Sequence, residues 1–192
     1  MIKHVLVPVD GSDHAWKALD IACTLANASD ARLSVISVIT DAALSDAERR
    51  FAETEFPDEV GRAMGSSAFS DVSGQRVLER MGEAANSLRS AIAGGLLERA
   101  KTQAHEHGIA DPRASIVDGD PAEQILIFTR ENDVDAIIMG SRGLGALRGL
   151  LMGSVSQKVS SHADCSCMYG EVTGSARSTI PRSVNQAGIL RR

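Results

Sequence analysis

The chain has 192 residues, room for one domain with an elaboration on a prior of roughly 150 residues per domain. Hydrophobic residues at 43% and charged residues at 23% lie near globular averages, which excludes a disordered or fibrous chain, and one Trp, one Tyr and four Phe leave no stacking platform for single-stranded nucleic acid. Twenty Lys and Arg face 25 Asp and Glu; since residues 172 to 192 hold four Arg and no acid, the preceding body carries −9 and would repel a nucleic-acid backbone.

No run of about 18 apolar residues is present to cross a membrane, and the opening MIKHVLVPVDGSD is interrupted too soon by Pro8 and Asp10 for a secretory signal. No membrane insertion is expected, and the expected location is the cytoplasm. Cys23, Cys165 and Cys167 make an odd count in a chain large enough to need no staples, so reduced thiols are expected. Cys165 and Cys167 with His162 have metal-ligand chemistry, but no fourth ligand is evident and the pair lies beside a strand.

Residues 4 to 9, HVLVPV, are a β-branched run that stops at Asp10-Gly11-Ser12, a buried strand followed by a turn. Ser12 or Asp13 can cap the helix that follows, whose Ala15, Ala18, Leu19, Ala22, Leu25 and Ala26 recur at helical spacing. Residues 32 to 39, RLSVISVI, predict a second strand. From Asp41 to Arg76 the pattern breaks down into eight acids, four Arg, Pro57 and three Gly with no sustained period, which predicts an acidic insertion that is loop or partly helical: a surface excursion, or a lid or partner-binding element. A helix resumes at Val77 on a stripe through Leu78, Met81, Ala84, Ala85, Leu88, Ala91 and Ile92 that continues through Leu96 and Ala100 towards His107, with Gly94-Gly95 marking a bend or a close helix contact and Gly108 placed to end it.

Residues 114 to 117 predict a third strand, and Gly119-Asp120-Pro121 supplies a turn, an N-cap and a first helical proline for a helix to about Glu131. Val134 to Met139 is the clearest buried strand and runs straight into glycine; a helix over Ser154 to Ser161 and a weak strand near Cys167 to Val172 complete the alternation. Strands alternating with helices predict a single α/β domain over residues 1 to 172, with a parallel sheet covered on both faces. Residues 173 to 192 predict a basic, disordered tail.

In such a sheet the ligand crevice lies beyond the carboxyl ends of the strands. Two ends carry chemistry here: Pro8-Val9-Asp10 puts a carboxylate at the mouth, and the segment from Met139 to Ser156 links a strand to a helix through a long glycine-bearing loop. Glycines let backbone N–H groups approach an anion, and the next helix offers its own unpaired N–H groups. Ser154 and Ser156 can add hydroxyls, Arg142 and Arg148 charge, and Asp10 can accept from a ribose hydroxyl or hold a metal through water. The same glycines would also serve as plain tight turns. A P-loop is excluded because no Gly-Lys pair exists, the dinucleotide fingerprint fails at Arg148, and a receiver domain lacks its Lys. The histidines, His4, His14, His105, His107 and His162, fall at strand or helix positions that make them surface or helix-end residues rather than catalysts.

Gly140, Gly143 and then nine residues to Gly153-Ser154 reproduce G-x2-G-x9-G-[ST], and on this loop the chain resembles the universal stress protein family. HVLVPVDGSDHAWKALDIA and GDPAEQILIFTRENDVDAIIMGSRG are similar to that family's first strand and helix and its third turn to fourth strand. The resemblance implies an adenine nucleotide alpha hydrolase-like sheet of five parallel strands in the order 3-2-1-4-5, a homodimer, and ATP between strands 1 and 4. By position it puts Pro8, Val9 and Asp10 beside adenine and ribose, Val38 at the adenine edge, Met139 and Gly140 along base and sugar, and Arg142, Gly143, Gly153, Ser154, Val155 and Ser156 around the phosphates. In the family a divalent cation, Mg2+ or Mn2+, can accompany the triphosphate; this sequence shows no dedicated cage for one. A nucleotide-dependent regulatory module with a protein partner is the function implied, and a slow ATPase or phosphotransferase on the same loop is the alternative. The sequence departs from the family in the insertion, the Cys165-Ser166-Cys167 strand and the basic tail.

Overall fold

The computed structural model describes residues 1–40, 46–64, 74–145 and 151–171; the ends of the acidic insertion at 41–45 and 65–73, Arg148 and the 173–192 tail lie outside the described residues. Strands β1 (His4–Pro8), β2 (Arg32–Ile39), β3 (Arg113–Asp118), β4 (Ala136–Gly140) and β5 (Ser166–Gly170) pair in parallel in the order β3-β2-β1-β4-β5. Helices α1 (Asp13–Ser29), α2 (Asp46–Glu55), α3 (Pro57–Met64), α4 (Gly74–Glu106), α5 (Pro121–Glu131) and α6 (Ser154–His162) alternate with them, with α2, α3 and α4 all between β2 and β3. The sheet order and class are those expected.

Period-two alternation sorts the strands' side chains to two cores. Val5, Val7, Val9, Leu33, Val35 and Ile138 pack with α1 and α4, whereas Leu6, Ile36, Ile137 and Met139 pack with α5 and α6. Each such fully buried aliphatic side chain contributes about 1.5–3 kcal/mol, so the central strands carry most of the stability. At the amino end of the sheet, Asp135 accepts from the backbone N–H groups of Lys3 and His4 at 2.7 and 3.0 Å and ties the start of β4 to β1.

Two aromatic anchors fasten the acidic insertion to the rest of the domain. A Cβ on Gly11 would overlap the Phe51 ring, and one on Gly95 would overlap the Phe56 ring, so each glycine leaves a notch that a phenylalanine fills. The rings meet edge to face at 6.0 Å between centroids, and Ala52 between them is buried. Gly95 of the Gly94-Gly95 pair therefore marks a close contact inside an unbroken α4, whereas no described atom lies within 4 Å of a Cβ on Gly94. Among the described side chains of α4, Ala93, Leu96, Leu97, Ala100 and Ala104 are buried, the expected Leu96 and Ala100 among them, while Ala91 is exposed; the side chains of Val77, Leu78, Met81 and Ala84 lie outside the described residues. Gly108, at φ 84°, follows the helix as expected.

Candidate functional site

β1 delivers Asp10 to the carboxyl edge of the sheet, where Val9 N–H still donates to Ile36 O at 2.8 Å and extends the ladder by one residue. Gly11, at φ 87°, turns the chain into α1. Ser12 is the N-cap: its Oγ accepts from Ala15 N–H at 3.2 Å and donates to Asp10 Oδ1 at 2.7 Å. Asp10 Oδ1 also accepts from Ser12 N–H at 3.0 Å, and Oδ2 accepts from Leu144 N–H at 3.1 Å. The acid at the mouth thus grips both the α1 turn and the glycine loop.

The loop after β4 is pinned at both ends. Gly153 N–H donates to Ser141 O at 2.8 Å, bringing the far end of the loop back to its beginning, and the buried Ser156 hydroxyl donates to Gly140 O at 2.8 Å. Gly143 carries no Cβ because one there would overlap Asp10 Oδ2. Gly153 is different: its φ of −77° and ψ of 160° suit any residue, and among the described residues the atoms nearest an added Cβ are Arg142 Cα, Gly143 N and Ser141 O at 3.5–3.7 Å. Gly153 is also the N-cap of α6 and offers no side-chain acceptor, so the opening turn of that helix has no side-chain cap.

Between these two strand ends lies a cavity of about 320 Å3. Pro8, Val9, Asp10, Val38, Met139, Gly140, Arg142, Gly143, Gly153, Ser154, Val155 and Ser156 all line it, so the twelve positions singled out in the sequence are brought to one place. Its volume is at the lower end of the roughly 300–1,000 Å3 of small-molecule sites. Apolar side chains from Val38, Ile36 and Met139 gather towards the sheet, while the glycine backbone, Ser154 and Arg142 gather towards α6. One end therefore suits a flat apolar group and the other an anion.

Sequence reasoning missed Ser12, Ala15, Ile36, Thr40, Pro121, Leu144 and Gly145 as lining residues. Ile36 stands two residues before Val38 on the same face of β2, a signal that finds it; Pro121 signals only a helix start in the sequence. His14, expected as a surface or helix-end residue, has its Nε2 accepting from Arg142 Nη2 at 3.1 Å. His162, Cys165 and Cys167 do not join the cavity, and among the described residues no three His, Cys, Asp or Glu side chains are placed to hold a metal. Burial raises the pKa of the Cys165 and Cys167 thiols above the ordinary cysteine value. No helix among the described residues is long and apolar enough to cross a membrane.

The model of the universal stress protein family matches residues 1–169. Universal stress protein YxiE of Bacillus subtilis is 30% identical over 168 residues, which is 86% of this chain and 96% of that protein. Among solved structures, the universal stress protein UspA from Lactobacillus plantarum superposes with a TM-score of 0.63 at 21% identity, covering 87% of this chain and 96% of its own. A universal stress protein in complex with cAMP superposes with a TM-score of 0.53 at 21% identity, covering 87% of this chain and 94% of its own. With the sheet up to Tyr169 in β5 and the glycine loop inside the matched span, the chain belongs to the universal stress protein family.

Proposed function

We propose that this chain binds ATP in the 320 Å3 cavity and acts as a nucleotide-dependent regulatory module of the stress response. The observation that carries the reading is Gly153: the backbone does not require glycine there, and no atom of the described residues excludes a Cβ, so what its bareness leaves free is the space beside the uncapped end of α6. Pro8, Val9, Ile36, Val38 and Met139 would enclose adenine. Asp10 would exchange its bond from Leu144 N–H for ribose hydroxyls, and Arg142, Gly143 and the first turn of α6 would take the phosphates. The bound cAMP of the similar protein is an adenine nucleotide, which agrees in chemical class.

Asp10 is the only carboxylate lining the cavity among the described residues, so an accompanying Mg2+ or Mn2+ would rest mainly on phosphate oxygens. Binding does not entail cleavage. Hydrolysis needs a water-orienting group, and Asp10 already accepts three hydrogen bonds while no histidine lines the cavity. A regulator works through what it touches, so a homodimer and a regulatory protein partner in the cytoplasm complete the proposal. Calorimetric titration with ATP and magnesium, run beside a phosphate-release assay, tests it. Saturable binding with no turnover above a Gly153→Val control supports the module, turnover above that control moves the function to the slow ATPase, and no binding at millimolar ATP refutes both.

A further inference from the structure

Arg142 is the only cationic side chain lining the cavity among the described residues, and it does not hang free. Its Nη2 lies 3.1 Å from His14 Nε2. A guanidinium keeps its protons and has no lone pair to offer, so it is the donor and Nε2 the acceptor. The imidazole must then be neutral with its proton on Nδ1. That proton has partners, Gly170 O at 3.4 Å and Ser141 Oγ at 3.2 Å, and these contacts and the one from Arg142 fit the same tautomer.

The imidazole is held where it is by the sheet. Gly140 and Gly170 face each other in register at the ends of β4 and β5. A Cβ on Gly140 would press on the His14 backbone and Cβ at 3.0 Å, and one on Gly170 would meet Ala18 N at 2.5 Å and His14 O at 2.9 Å. Two bare positions thus let the first turn of α1 settle onto the strand ends and set His14 against the start of the glycine loop. Long cationic side chains lose rotamer freedom when they bind, and one already held by an acceptor has less left to lose.

We infer that His14 is a positioning residue, whose neutral imidazole holds the Arg142 guanidinium ready for the phosphates and so governs the preference for ATP over adenosine. The inference rests on the nucleotide reading of the cavity and deepens it by assigning a second side chain to phosphate recognition. ATP and adenosine are titrated calorimetrically into the parent, His14→Ala, Arg142→Ala, the double variant, His14→Gln and His14→Met, with the melting temperature of each measured. His14→Ala should weaken ATP about tenfold, the scale of one charge-assisted hydrogen bond, and leave adenosine within about twofold. It should cost nothing further in the Arg142→Ala background. His14→Gln, whose Oε1 offers a lone pair to the guanidinium, should recover most of the loss; His14→Met, of similar length without that acceptor, should not, and this pair decides the matter if the alanine variant fails to fold. Losses of ATP and adenosine in parallel, or His14 and Arg142 losses that simply add, would overturn the assignment while leaving the nucleotide reading intact. A parent that binds neither ligand overturns both.

Discussion

Replacing Gly153 by valine separates folding from ligand binding, because the two respond to different sides of the same atom. On the folding side, the backbone at φ −77° and ψ 160° accepts a β-branched residue, and the nearest neighbours of an added Cβ lie at 3.5–3.7 Å. Removing glycine's freedom in the unfolded chain stabilises by about 0.4–1 kcal/mol. Losing glycine at the N-cap costs a similar amount, since branched aliphatic residues are poor caps. The two nearly cancel, so the variant should melt within about 4 °C of the parent, the shift expected from 1 kcal/mol in a domain this large. On the binding side, the γ-methyl groups would displace phosphate oxygens from backbone N–H donors. Each such charge-assisted bond is worth about 1.5–3 kcal/mol, so losing two costs about 3 kcal/mol or more, over a hundredfold in Kd. Differential scanning calorimetry and isothermal titration with ATP on the same preparation read both sides. ATP affinity unchanged in a variant that melts with the parent would refute the phosphate assignment of this loop.

Gly170→Ala should be destabilising by about 1–3 kcal/mol, since its Cβ would meet backbone of Ala18 at 2.5 and 2.8 Å that cannot swing away, and chemical denaturation should show a lower midpoint at unchanged slope. Burial holds the His4 pKa below the ordinary histidine value of 6.5, against a bond to Asn132 O that acts the other way. The unfolded chain therefore takes up the proton first, and the stability from neutral His4 is complete above about pH 6.5 and lost as pH falls through its folded pKa. Melting temperature measured from pH 8 to pH 5 should fall on the acid side, and His4→Gln should flatten that fall; an unchanged slope would contradict the assignment. Burial raises the Cys23 thiol to about 11, so under native conditions at pH 8 an aromatic disulfide reagent should modify Cys165 and Cys167 first and reach Cys23 only on unfolding.

The parts of the fold legible in the sequence are those written in local pattern. Val5 to Val9, Leu33 to Ile36 and Ile137 to Met139 announce buried strands because a doubly covered strand needs apolar residues in succession. The cavity was legible for a related reason: Gly143 must lack a Cβ for Asp10 to reach Leu144 N–H, and Gly153 lies at a fixed distance along the same loop. The insertion was legible only as loop or partly helical, and its docking was not, because Phe51 and Phe56 answer to notches at Gly11 and Gly95 far along the chain. His14 escaped for the same kind of reason. Its partners Arg142 and Gly170 are 128 and 156 residues away, and only the register of β4 with β5 brings them to it.

The claim most in need of trial is that an adenine nucleotide occupies the space between Asp10 and the α6 turn. Protein freshly purified from the organism that makes it, washed free of small molecules and then denatured, should release adenine nucleotide, identified by chromatography and mass spectrometry, at close to one per chain. Denatured protein that releases none, taken from a preparation that also fails to bind millimolar ATP, would contradict it.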